Sequence, residues 1–147
     1  WTSLTTLDIN PDPEPDVVHD LHVLPYPFET SYFNEIHAYE VMEHIGQQGD
    51  WRSFFAQWSE IWRILKPGGY FIGTSPNWDS PWAWGDPGHT RIIGAQQLGY
   101  LSQRNYQDQI GQTAMTDYRF VYKADLTIEQ FTANGEHQSV YVLKALK

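Results

Sequence analysis

From Asp50 to Gly69 the sequence allows little choice of local structure. Trp51, Phe54, Phe55, Trp58, Ile61, Trp62 and Leu65 recur at steps of three and four residues, and Arg52, Ser53, Gln57, Ser59, Glu60 and Arg63 fill the other face. This spacing predicts an amphipathic helix whose aromatic stripe is core by default. Asp50 is placed to cap its first amides. Lys66-Pro67-Gly68-Gly69 ends it, with a cation near the negative end of the dipole and a glycine able to turn left-handed. Tyr70 to Thr74 then reads as a strand.

Three shorter apolar runs precede the helix. Leu4 to Ile9 predicts a strand, closed by Asn10-Pro11 and Asp12-Pro13-Glu14-Pro15, which support neither helix nor ladder. Asp16 to Leu21 predicts a second strand and Phe33 to Tyr39 a third. After Thr74 comes an aromatic loop reaching Gly88, then a weaker helix over about Ala95 to Arg104. Tyr118 to Phe131 and Ser139 to Leu146 alternate like strands, with Asn134-Gly135 between them as a hairpin signal. Strand, strand, strand, helix, strand, helix, hairpin describes an α/β sheet that is parallel first and antiparallel at its last edge.

Composition narrows the function. At 147 residues with 41% hydrophobic and 16% aromatic content, the chain can fill the core of a single domain. No run reaches the roughly 18 apolar residues of a membrane helix, and no leader of the secretory kind opens the sequence. A soluble, cytoplasmic protein is the expectation. Cysteine is absent, which excludes disulfides, thiolate metal sites and a cysteine nucleophile. A formal charge of -9, with the few basic residues spread thinly, disfavours nucleic acid as a partner.

"LDINP", "PDVVHDL", "LPYPF", "FNEIHAYEVMEHI", "EIWRILKPGGYFIGTSPN" and "GHTR" stand in this order. Together they resemble a class I S-adenosylmethionine-dependent methyltransferase of the compact kind common in bacteria and their phages. The resemblance covers nearly the whole chain and is most specific from Ile36 to Gly69. It implies a Rossmann-like, mostly parallel sheet with a C-terminal antiparallel hairpin, and S-adenosylmethionine as cofactor. It implies that Asp8, followed by Ile9, accepts hydrogen bonds from the ribose hydroxyls; a carboxylate with two acceptor oxygens fits a vicinal diol. It places Asp20 and Leu21 at the adenine, through a carboxylate and a backbone amide. Ala38, Tyr39 and Glu40 would lie under the sulfonium, facing the acceptor.

One part of the family pattern is missing. No strand followed by a G-x-G turn occurs, and Trp1 stands where the family's second strand opens, so the domain is expected to be truncated at its N-terminus with the first strand absent. In the family's order that strand is central, and its loss would leave two inner edges with unpaired amides and carbonyls. An N-terminal segment ahead of Trp1 is expected to cover them, with pairing to a second copy of the chain or a degenerate cofactor fold as the alternatives.

Methyl transfer from a sulfonium needs alignment and a dry site more than reactive side chains. Where the acceptor must lose a proton, His89, His37 and His44 are the candidate catalytic bases, with His89 preferred for its place after the mobile loop. Trp78, Trp82 and Trp84 could stack on a planar or sugar-like acceptor, serve as a lid or form a dimer contact, and Arg91, two residues after His89, is a further candidate substrate contact. Net charge favours a small molecule, glycan or protein side chain as acceptor. His37, Glu40, Glu43 and His44 invite a metal reading, but a change from strand to helix near Tyr39 would break their shared face, so no metal is expected. The rival reading is a non-catalytic domain of the same fold that binds a partner or assembles.

Overall fold

The computed structural model describes residues 3–134 and 137–147. Its centre is the helix α1, Trp51–Ile64, which buries Phe54, Phe55, Gln57, Trp58, Ile61 and Ile64. Asp50 caps it by accepting from the Ser53 amide at 3.1 Å. At the other end the backbone passes straight from Ile64 into a strand, β4, Leu65–Pro76. The expected stop at Lys66-Pro67-Gly68-Gly69 therefore lies inside a strand. Gly68 has a φ of 75°, and the register against the neighbouring strand jumps there, so the four residues form a bulge between helix and sheet.

Four strands make the main sheet, in the order β3, β4, β6, β5, with β3 at Phe33–Tyr39, β5 at Leu126–Asn134 and β6 at Gln138–Ala145. β3 and β4 are parallel with α1 as their crossover, and β6 runs antiparallel to both β4 and β5. Trp58 and Phe71 meet edge to face beneath α1, and Phe71 stacks on Tyr141 of β6, so the helix stripe and the sheet share one core. Of the Asn134-Gly135 turn expected between β5 and β6, Gly135 lies outside the described residues.

Several expected boundaries are corrected. The first two strands shrink to β1, Leu7–Asp8, and β2, Val17–Val18, which form a parallel pair of their own. Among the described residues no ladder joins β1 to β3; a cavity of about 820 Å³, lined by Leu4, Leu7, Leu21, Ile36, Ala38 and Met42 among others, lies between them. The helix expected over Ala95 to Arg104 is three pieces: α3, Ala95–Leu98, a 3-10 turn at Gly99–Leu101, and α4, Gln103–Gln109. Tertiary bonds break it, because the Gln103 amide donates to Asp125 and its side chain to the carbonyls of Tyr122 and Ala124. Tyr118 to Tyr122 is a turn rather than the start of β5. Its aromatic alternation reflects packing of Tyr118 and Tyr122 on Phe55, with Phe120 against Trp51, not a sheet face. A short helix α2, Trp82–Gly85, interrupts the aromatic loop. No helix among the described residues is long and apolar enough to cross a membrane.

Candidate functional site

Asp8 closes β1 and Asp20 follows the end of β2, so the two carboxylates stand at the carboxyl ends of neighbouring parallel strands. Their hydrogen bonds run through Oδ1. Asp8 accepts from the Asn10 amide at 2.8 Å; Asp20 accepts from the His22 amide and from His22 Nδ1, both at 2.9 Å. The amide bond, then the ring bond, holds the Asp20 carboxyl below the usual carboxylate range. With its proton on Nδ1, the His22 ring accepts the Gly46 amide at Nε2, 3.3 Å away. That bond ties the loop after β2 to the loop after β3 and sets both on one rim.

β3 delivers Ala38, buried, and Tyr39, exposed, to the same rim, and the chain then turns at Glu40 with a φ of 53°. The Glu40 amide is held by the Thr74 carbonyl at 3.0 Å, and its carboxylate accepts from Gln138 at 2.8 Å. Of the residues expected at the cofactor, Leu21, Ala38 and Tyr39 line the cavity; Asp8, Ile9, Asp20 and Glu40 lie outside its lining.

Directly after Glu40, a 3-10 turn at Met42–His44 buries Glu43 to 1% exposure. Glu43 Oε2 accepts from the Ser75 hydroxyl at 2.9 Å, and the Tyr141 hydroxyl completes the chain by donating to Ser75 at 3.0 Å. Glu43 Oε1 is buried with no hydrogen-bond partner. Burial, reinforced by the neighbouring Glu40 charge, pushes the Glu43 carboxyl above its ordinary range.

His44 and His89 face each other beside this carboxylate, ring centroids 4.6 Å apart and nearly perpendicular. His44 Nδ1 lies 3.1 Å from the Gly88 carbonyl, and His89 Nδ1 lies 2.8 Å from the Trp82 carbonyl. A carbonyl only accepts, so each Nδ1 carries the hydrogen and each Nε2 keeps a lone pair. A Cβ on Gly88 would stand 3.0 Å from His44 Nδ1 and press on the ring. Glu43, His44 and His89 each offer one donor atom, all within 4.8 Å of one another.

The remaining candidates are placed differently. His37 sits on β3, bonded to Glu35 and to the Tyr39 hydroxyl, outside the histidine pair. Arg91 is corrected from a substrate contact to an interior residue. It is 1% exposed, lies over Phe54, and binds the Gln47 carbonyl at 3.0 Å, pinning the loop ahead of α1. Trp78, Trp82 and Trp84 are exposed along the aromatic loop. Sequence reasoning missed Ser75, brought to Glu43 by the parallel pairing of β3 with β4, and Tyr141, brought to Ser75 by the pairing of β4 with β6; the serine closing "YFIGTS" was the one local signal.

No family model matches the sequence, and no curated protein matches it. Solved structures do. N-methyltransferase NodS from Bradyrhizobium japonicum WM9, in complex with S-adenosyl-L-homocysteine, is 11% identical, with a TM-score of 0.53 over 96% of this chain and 65% of that one. A SAM-dependent methyltransferase from Archaeoglobus fulgidus is 14% identical, with a TM-score of 0.53 over 94% of this chain and 74% of that one. One from Methanosarcina mazei is 14% identical, with a TM-score of 0.51 over 88% and 66%. The chain thus has the α/β Rossmann-like fold of class I methyltransferases, and spans about two thirds of the length of the NodS and Methanosarcina proteins.

Proposed function

We propose that the chain carries out S-adenosylmethionine-dependent methyl transfer to a small-molecule, glycan or protein acceptor. The observation that carries this reading is the shared rim: β1, β2 and β3 end together, joined by the His22–Gly46 bond, above a cavity lined by Leu21, Ala38 and Tyr39. The fold held in common with NodS, which binds S-adenosyl-L-homocysteine, supports it.

The donor set fits a nucleoside. Asp8 and Asp20 use Oδ1 within their own turns, which leaves a second acceptor oxygen on each to meet hydroxyl or amino hydrogens. S-adenosylmethionine supplies, when bound, a methyl carbon made electrophilic by the sulfonium. The chain's part is to hold the two partners in line and to take up the acceptor's proton. Glu43, His44 and His89 form the corner suited to the proton, and Trp78, Trp82 and Trp84 offer ring faces to the acceptor.

Calorimetric titration of S-adenosyl-L-homocysteine into the chain tests the reading. Saturable binding is expected, weakened about tenfold or more in Asp8→Ala, since a charge-assisted hydrogen bond is worth about 1.5–3 kcal/mol. His89→Ala should lower turnover and leave that affinity nearly intact. Absence of heat would instead favour a non-catalytic domain of this fold.

A further inference from the structure

We propose that Glu43, His44 and His89 form a binding site for one first-row divalent transition-metal ion. Three observations carry it. The donors come from two separated segments, the 3-10 turn after β3 and the loop after α2, and converge within 4.8 Å. Both imidazoles hydrogen-bond a backbone carbonyl at Nδ1, the kind of bond that fixes the tautomer of metal-binding histidines and leaves Nε2 as the ligand atom. Between them lies a carboxylate that is 1% exposed, with Oε2 fixed by Ser75 and Oε1 lacking any partner.

A buried carboxylate oxygen without a donor is costly. A bound cation removes that cost, and the two Nε2 lone pairs complete three ligands, two nitrogens and one oxygen. This is the ligand set of open catalytic zinc sites, with a coordination position left for water or substrate. Tetrahedral coordination at about 2.0–2.2 Å places donors about 3.4 Å apart, so the three side chains need to close by roughly an ångström, within reach of imidazole rotation. Two imidazoles select against Ca²⁺ and Mg²⁺, which take all-oxygen shells, and favour ions such as Mn²⁺, Co²⁺ or Zn²⁺. His44 and His89 are both partly exposed, so solvent can reach the pair. On the methyl-transfer reading, on which this role rests, the ion would replace these side chains as the device that removes the proton: it would bind the acceptor's oxygen or nitrogen and ease loss of its proton to water; binding of the ion does not depend on that reading.

The test uses the full chain, stripped with a chelator and titrated with Mn²⁺, the free ion being followed by its paramagnetic resonance. One bound ion per chain is expected, and pulsed resonance on the bound ion should resolve couplings to imidazole nitrogen. His44→Ala and His89→Ala should each weaken binding tenfold or more, and Ser75→Ala, which releases the carboxylate, about tenfold. His37→Ala should leave it unchanged. No binding, bound manganese without nitrogen couplings, or affinity indifferent to His44 and His89 would overturn the proposal. The resonance measurement needs only the unaltered protein, so it decides the matter even where a variant fails to fold. Titration of S-adenosyl-L-homocysteine into the stripped chain, run in parallel, separates failure of the metal site from failure of the methyl-transfer reading.

Discussion

Glu43 is the residue on which most of the site's energetics turn. Its carboxyl is raised in the fold, mainly by burial, and keeps its proton to a higher pH than in the unfolded chain. Between the two values the folded state binds more protons, so stability falls as pH rises from the ordinary glutamate range through the folded value. In the presence of chelator, the melting temperature of the native chain is therefore expected to decline over that interval. Glu43→Gln, which retains an acceptor for Ser75, should flatten the decline and melt higher at neutral pH. A pH profile identical to that of the native chain would contradict this account. Aspartates at eight and twenty could be picked out as strand-end carboxylates from the sequence, and each does stand at such an end. Neither Asx turn, nor the bridge from His22 to Gly46, was legible, because each depends on where the following loop comes to rest.

At the level of elements, α1 is the part that local pattern specified almost completely. Its cap, its first residue and its stripe, apart from Gln57, which is buried instead of lying on the polar face, follow from side-chain spacing and from the preference of an aspartate for the first free amides. Trp58 is fully buried against Phe71, so Trp58→Ala should cost about 3–5 kcal/mol in urea unfolding, from lost apolar contact and the cavity left behind. A loss under about 1 kcal/mol would mean that the helix does not organise the core. The helix over Ala95 to Arg104 and the early start of the C-terminal strand were misread for one reason. In both, side chains bond or pack to distant partners, Gln103 to Asp125 and Tyr118 to Phe55, and such contacts outweigh weak local preference.

For the whole molecule, the main consequence is unequal rigidity. β4 and β6 lie inside the four-stranded sheet and under α1, whereas β1 and β2 are two residues each and share a ladder only with one another. Amide hydrogen exchange should therefore be slowest in β4 and β6 and faster by orders of magnitude in β1 and β2. Equal protection of the two pairs would imply a sheet continuous across the cavity. The sequence by itself determined the α/β class, the helix with its aromatic stripe, the third strand and the strand-end carboxylates, since these follow from periodicity and from chemistry within a few residues. Only the tertiary structure decided that Glu43 meets Ser75 and, through it, Tyr141, that His44 pairs with His89 rather than His37, and that Arg91 is interior. Those contacts join residues tens of positions apart, and their geometry is set by strand register and loop closure, which no local window of sequence contains.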